Sequence, residues 1–303
     1  MKTLVFTTFF DNHNREGYSE LLFEWLISLR TNANYKGEIL IINYGMREET
    51  ISKLNLLRET DIGYDIRVVE VDNPEIRGGS YLSNWRNIDS IPILEEYEGY
   101  YIVHTGADVW FQNDINSLWE EIEKTEGCYF AIERGRSCRY RGPEDQHEEY
   151  EETQKKLWGF VFGDFMSGKQ ESYVERLKLY KHLFETSWKG TEESQERWGI
   201  KTWGTDQSMM THTFDFDKDR TNAISYAASE YYLYDKGDEL IFWEDRIDTK
   251  HDELTTVIGI HVLAHKLTRE ERMEYNHGIP FESCRFYKRY SELWDKYYLS
   301  LKS

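Results

Sequence analysis

The chain has 303 residues and a formal net charge of −19, with 56 acidic against 37 basic side chains. Its 22 Tyr, 15 Phe and 10 Trp are too many large apolar groups for a disordered acidic chain, and the length allows a substantial core. No apolar run approaches the ~18 residues that a membrane-spanning helix needs, and so negative a surface disfavours broad binding to nucleic-acid phosphates.

The first 135 residues alternate between two hydrophobic periods. Buried strands are predicted at residues 4–6, 38–42, 66–71, 100–103 and 129–132. Helices are predicted between them at residues 21–29, 47–58, 84–96 and 115–122. Because strands alternate with helices of about 10–15 residues, the pattern predicts an α/β, Rossmann-like fold with a mainly parallel sheet flanked by helices.

The alternation stops after residue 135. Residues 135–157 combine arginines with an acidic run at 144–152 and show no convincing helix or strand pattern, so we expect a lid or insertion loop, or else a solvated insertion. The remaining predicted elements are helices at 170–187 and 206–213, short strands near 224–226, 231–234 and 257–262, and a helical, aromatic-rich tail. No linker divides the chain, so the prediction is one domain over residues 1–266 with a C-terminal helical extension over 267–303 that packs on it or serves an oligomer interface.

Several catalytic signatures are absent from the sequence. Thr7 and Thr8 follow the first strand in place of a GxGxxG fingerprint, and no Walker A, GxSxG or HExxH motif occurs. The three cysteines are widely spaced, without CxxC, and we find neither a secretory signal nor an Asn-x-Ser/Thr acceptor. The expected location is therefore a reducing cytoplasm.

Two strand ends carry polar or aromatic residues, at the place where open α/β sheets bind ligands. Thr7 and Thr8 have small hydroxyls that let a ligand approach the backbone, and Phe10 can stack on a base. Asp108 follows the fourth strand among apolar residues, where a carboxylate can hold a divalent cation on a diphosphate or simply cap a turn.

Four segments in chain order make the pattern more specific. The first runs from Arg86 in its predicted helix through Pro92 to the strand that ends at Asp108, and the others are residues 158–168, 204–210 and 258–266. Together they resemble nucleotide-sugar glycosyltransferases of the GT-A fold, most closely glycosyltransferase family 8, the glycogenin and galactosyltransferase-like family. The resemblance covers roughly residues 1–266. One residue departs from it, because Gly106 stands where the family has the first aspartate of Asp-x-Asp.

The resemblance implies a donor-diphosphate site. Asp108 and His261 would ligate Mn²⁺ or Mg²⁺ on the diphosphate, although the Gly106 departure leaves the metal requirement open. Lys266 would add a positive charge on the diphosphate. The alternatives are a packed core histidine at 261 and a surface lysine at 266.

The resemblance also implies residues around the reacting sugar. Arg86 would face the nucleotide-sugar or form a structural salt bridge, and Asp206 would bind the sugar hydroxyls or act only as a helix N-cap. Gln207 would lie near the anomeric carbon.

Aromatic side chains suit the apolar face of a sugar ring. Trp158, Trp203 and Trp243 are therefore candidate platforms, against the alternative that they belong to the core. Asp164 is a candidate general base for an acceptor hydroxyl, against the alternative of a turn residue.

The predicted activity is hexosyl or pentosyl transfer from a nucleotide-diphosphate sugar, with a UDP-sugar favoured, to a hydroxyl acceptor. The family resemblance implies divalent-metal assistance and retention of configuration. Two alternatives remain: a non-catalytic nucleotide-sugar binding protein, suggested by Gly106, and a glycosyltransferase acting on modified nucleic acid. Only one cluster supports the latter, the arginines Arg134, Arg136, Arg139 and Arg141. The sequence specifies neither the acceptor class nor the oligomeric state.

Overall fold

The computed structural model describes residues 1–11, 17–74, 79–134, 146–188, 205–225, 242–244, 259–261 and 292–297. Its strands are β1 Lys2–Phe9, β2 Glu38–Asn43, β3 Ile66–Glu70, β4 Tyr100–Thr105, β5 Val109–Phe111, β6 Cys128–Arg134, β7 Gly159–Lys169, β8 Arg220–Ser225, β9 Phe242–Glu244 and β10 Gly259–His261. Its helices are α1 Gly17–Thr31, α2 Glu48–Arg58, α3 Gly79–Leu94, α4 Asn116–Lys124, α5 His147–Leu157, α6 Gln170–Leu183, continued by a π-helical turn at Phe184–Trp188, and α7 Thr205–His212. None of the described helices is long and apolar enough to cross a membrane. The class is α/β, with mixed, mainly parallel strands flanked by helices.

The chain divides into two compact units that interleave along the sequence. The first unit comprises Met1–Leu4, Val71–His104 and Trp119–Asn222, and the second comprises Val5–Glu70, Thr105–Leu118 and Ala223–Ser303.

In the first unit, β4, β7 and β6 lie side by side in that order. β6 and β7 are antiparallel, paired from Cys128↔Gly168 to Arg134↔Gly159 with a register shift between Phe130 and Ile132. Helix α3 packs on α6, and α7 packs on β7. Helix α7 also contacts α3, so α3, β7 and α7 are neighbours, and the candidate site lies where they meet.

In the second unit, β3, β2 and β1 are neighbours, and β2 runs parallel to β3 from Ile39↔Ile66 to Asn43↔Glu70. Strand β10 pairs in parallel with β9 and antiparallel with β5. Helix α1 buries an apolar face, which consists of Leu21, Leu22, Trp25, Leu26 and Leu29. The Trp25 indole N–H donates to the Thr105 hydroxyl at 2.7 Å, so the buried ring keeps its polar atom satisfied.

The predicted strands and helices of the first 135 residues are confirmed, as are the helices after residue 170, the strand near 224–226 and the strand within 257–262. The expectation of an irregular stretch over 135–157 is wrong from His147 onward, where α5 forms. Acidic residues in the first turn of α5 and lysines in its last turn complement the helix dipole. In the sequence this helix-favouring pattern is hard to tell from a charged surface loop. The continuous strand β7 was not predicted either, because glycines and an aspartate interrupt its apolar pattern.

Three predicted features lie wholly or partly outside the described residues. These are the loop at 135–145, the strand at 231–234 and most of the tail. Residues 292–297 of the tail are helical as predicted, and Leu293 and Trp294 are buried.

Candidate active site

Arg86 is the centre of a cluster of charged groups in the first unit. Its side chain projects from α3 and is only 9% exposed. Nη1 donates to Oδ1 of Asp164 at 2.6 Å, and Nη2 donates to the Gly163 carbonyl at 2.7 Å and to Oδ2 of Asp206 at 3.1 Å. The planar guanidinium therefore connects α3 to the middle of β7 and to the first turn of α7, a geometry that a lysine ammonium cannot reproduce.

The two carboxylates of the cluster have different environments. The Asp206 side chain is 8% exposed, whereas that of Asp164 is 28% exposed. Burial raises the pKa of Asp206, and the adjacent Arg86 partly opposes this effect. Burial alone would lower the pKa of Arg86, but the carboxylates of Asp164 and Asp206 hold it above the usual value. Arg86 is therefore always charged, and its guanidinium is shared between two carboxyl groups.

Gln207 adds an uncharged polar group beside Asp206. Its Nε2 donates to Oε1 of Glu133 at 3.1 Å, and Glu133 is buried on β6. Glu133 is not among the residues predicted from the sequence. Like Asp108, Glu133 is an acidic residue near the carboxyl end of a buried strand, and this pattern could have identified it. The arginines that follow it make the segment look like a charged surface loop.

Gly163 permits the close approach of β7 to these side chains. A Cβ at this position would lie 2.8 Å from Oδ2 of Asp206 and 3.1 Å from Cγ of Gln207. Both distances are too short for an ordinary carbon contact, so a larger residue would displace α7 or the two side chains. The segment at 158–168 is therefore in contact with Asp206 and Gln207 in the first turn of α7.

His104 lies near this cluster, at the end of β4. It is 3% exposed, and burial lowers the pKa of its imidazole to about 3, with the Arg86 charge acting in the same direction. The imidazole is therefore neutral at physiological pH.

Acidification is expected to destabilise the protein through His104. The unfolded histidine has a pKa of 6.5 and the folded one about 3, so between these values the unfolded chain binds more protons and stability falls as pH falls. Between pH 7.5 and pH 5.0 the loss from this residue is about 2 kcal/mol. Urea unfolding of wild type and of His104→Gln at both pH values measures this loss. Any change in stability that the substitution causes at both pH values cancels when the two pH values are compared within each protein. Equal losses in the two proteins would contradict a neutral buried imidazole.

The predicted nucleotide-side residues lie in the second unit. Thr7 and Thr8 are within β1, Phe10 follows it, and all three are buried. Asp108 is partly exposed in the turn before β5. The antiparallel pairing of β5 and β10 puts His261 opposite Val109, one residue from Asp108 in the chain.

This register bears on the predicted metal site. It places position 261 beside the turn that carries Asp108, so both predicted ligands belong to neighbouring chain segments. Among the described side chains, no three His, Cys, Asp or Glu residues form a group that could hold a metal ion. The side chain of His261 is outside that description.

The acceptor-side candidates are only partly described. Trp158 ends α5 in the left-handed conformation, with φ 52° and ψ 36°, and is 47% exposed. Such a backbone conformation is unusual for a bulky residue. Asp164 is paired with Arg86, Trp243 is described only as a strand position, and Trp203 and Lys266 lie outside the described residues, as do Arg136, Arg139 and Arg141.

No protein-family model matches the chain, and no curated protein sequence matches it. Among solved structures, the chain is similar to the galactosyltransferase LgtC, crystallised in complex with donor and acceptor sugar analogues. The two share 12% sequence identity with a TM-score of 0.55, over 98% of this chain and 96% of LgtC. At this identity the likeness concerns the fold, and it confirms the predicted α/β fold of the GT-A type.

Proposed function

We propose that the chain is a glycosyltransferase that moves a hexose or pentose from a nucleotide-diphosphate sugar, with UDP favoured, to a hydroxyl acceptor. The observation that carries the proposal is the Arg86 cluster. Arg86, Asp164 and Asp206 come from three of the four segments on which the family resemblance rests, and they meet within 3.1 Å. The fold shared with a galactosyltransferase gives independent support.

The reacting sugar would lie against the first turn of α7. Asp206, held by Arg86, would accept hydrogen bonds from sugar hydroxyls. Gln207 would lie at the anomeric carbon, where positive charge develops as the glycosidic bond breaks. A fixed dipole in a partly buried site stabilises such charge more strongly than water does.

The transfer balances without an added reagent. The bond between the anomeric carbon and the diphosphate oxygen breaks, and its electron pair leaves with the nucleoside diphosphate. The acceptor oxygen bonds to the anomeric carbon on the same face, which retains the configuration, and the acceptor proton passes to the departing phosphate oxygen.

The donor diphosphate and nucleotide would be held by the residues that the family resemblance assigns to them. Asp108 and His261 would ligate Mn²⁺ or Mg²⁺, in keeping with the β5–β10 register. The cation would stabilise the negative charge of the leaving nucleoside diphosphate. Lys266 would add a further positive charge, while Thr7, Thr8 and Phe10 would form the nucleotide side of the pocket.

The acceptor would be recognised by aromatic platforms. Trp158 is exposed enough to stack on a sugar ring, and Trp203 and Asp164 complete the proposed acceptor side. A reducing cytoplasm remains the proposed location. Burial raises the pKa of the free Cys128 thiol to about 12, so it stays protonated and unreactive.

Nucleotide-sugar turnover tests the proposal. We expect wild type to release nucleoside diphosphate from at least one member of a panel of UDP-, GDP-, ADP- and CDP-sugars, with more release in Mn²⁺ than in EDTA. Asp206→Asn and Gln207→Ala should each lower kcat by roughly 100-fold, the scale of losing one electrostatic contact in a transition state. Asp217→Asn, an exposed acid after the same helix, is the matched control and should behave as wild type.

Each other result points to a different reading. Tight binding of a nucleotide sugar without turnover would favour the non-catalytic binding protein. Release that requires DNA or RNA as acceptor would favour the nucleic-acid alternative. A Mn²⁺-dependent thermal shift that persists in Asp108→Ala and in His261→Ala would refute the proposed ligand pair.

A further inference from the structure

Glu133 is a buried charged residue that the proposed chemistry has not yet used. It lies on β6, is 4% exposed, and stands opposite Phe160 of β7 in the strand register. Its Oε1 accepts a hydrogen bond from Nε2 of Gln207 at 3.1 Å. The contact joins residues 74 positions apart, so it depends on the packing of α7 against the sheet.

This contact fixes which end of the Gln207 amide faces the sheet. An ionised carboxylate only accepts hydrogen bonds, whereas a side-chain amide has one donating end and one accepting end. In the structure the NH₂ group points to Glu133, and beside an ionised carboxylate the reversed amide would put two acceptor oxygens together. The carbonyl oxygen is on the other branch of the planar amide and therefore points away from Glu133.

The first turn of α7 is held from a second side. Asp206 is bonded to Arg86, and Gly163 lets β7 approach to a distance at which a Cβ would crowd both Asp206 and Gln207. The position of the Gln207 backbone is thus fixed independently of Glu133. What Glu133 adds is the rotation of the amide group.

We propose that Glu133 is a positioning residue that acts through Gln207, holding the amide so that its carbonyl oxygen faces the anomeric carbon of the donor. This inference rests on the proposed function. The carbonyl oxygen is the negative end of the amide dipole and stabilises the positive charge that develops on that carbon. A rotated amide would present two N–H donors there and would oppose the reaction.

Glutamine and aspartate at position 133 separate orientation from structure. Glu133→Gln keeps the size and a hydrogen bond but can accept or donate, so the Gln207 amide no longer has one preferred rotation. We expect kcat for nucleotide-sugar turnover to fall by about 10–100-fold, as for other groups that orient a reacting residue. The KM for the donor should stay within about 2-fold and the Tm within about 2 °C, because binding and packing are retained. Glu133→Asp keeps an acceptor-only carboxylate on a shorter side chain and should retain more activity than Glu133→Gln.

A double-mutant cycle shows whether Glu133 acts through Gln207. In the Gln207→Ala background, Glu133→Gln should cause no further fall in kcat, since no amide remains to be oriented. A full second loss in that background would overturn the inference. So would wild-type kcat in Glu133→Gln, or a loss that is matched by unfolding or by a rise in KM. Active wild type with an unaffected Glu133→Gln variant refutes this inference alone, whereas wild type without turnover of any donor refutes the proposed function and the inference with it.

Discussion

Arg86→Ala is expected to lower the free energy of unfolding by about 3–5 kcal/mol and to abolish donor turnover, because it leaves buried charge without a partner. The Asp206 carboxylate is 8% exposed and would lose its guanidinium, and the Gly163 carbonyl would lose a donor. Asp164 is more exposed and contributes less to the penalty. Urea unfolding at pH 7.5 and the nucleotide-sugar assay measure the two effects.

The pH dependence of the variant identifies the cause. Burial already holds the pKa of Asp206 above its usual value, and removal of Arg86 raises it further. A carboxyl group with a raised folded-state pKa is stabilising when protonated, and this stability is lost as pH rises through that pKa. The stability deficit of Arg86→Ala should therefore shrink when the pH is lowered from 7.5 to 4.5. A deficit that does not change with pH would point to lost packing instead.

Lysine at position 86 is the matched control. It supplies the charge but not the fork that reaches three acceptors, so Arg86→Lys should recover part of the stability and less of the turnover. Addition of Asp206→Asn to Arg86→Ala should also recover stability, since it removes the unpaired charge. An Arg86→Ala protein as stable as wild type would contradict the ion-pair geometry.

Local sequence patterns were enough to predict most of the elements. The helical spacing of Leu22, Leu26 and Leu29 and the apolar run at 39–42 reflect burial of a fixed face, which depends on neighbours in the chain. Helix α5 was missed because its charges resemble a solvated loop, although Tyr150 is fully buried in it.

The arrangement of the site could not be predicted in the same way. Arg86 is 78 residues from Asp164 and 120 from Asp206, so their contact is a product of tertiary packing. The resemblance selected the segments but left Arg86 as either a donor ligand or a salt bridge. In the structure its guanidinium is hydrogen-bonded to two carboxylates, Asp164 and Asp206.

A second buried arginine–aspartate pair provides the other large effect. The Asp219 carboxylate is fully buried and accepts from Nη2 of Arg176 at 2.9 and 2.8 Å, and from the amides of Cys128 and Asp215 at 2.8 Å each. A Cβ on Gly127 would collide with Oδ1 of Asp219, so the backbone at Gly127 packs directly against this carboxylate. Asp219→Ala would leave the Arg176 charge and two amides unpaired, at a cost of about 3–5 kcal/mol.

Thermal unfolding should show this cost as a fall in Tm of roughly 6–20 °C, at 2–4 °C per kcal/mol for a chain of this size. Asp217→Asn, an exposed acid two residues earlier, should leave the Tm unchanged. Because Asp219 makes none of the Arg86 contacts, the kcat of the folded Asp219→Ala protein should remain near the wild-type value, whereas Arg86→Ala should lose both stability and turnover. The Arg86 cluster would then be needed for both stability and turnover, and the Arg176–Asp219 pair for stability alone. A loss of turnover in folded Asp219→Ala would mean that the Arg176 pair also supports the catalytic residues.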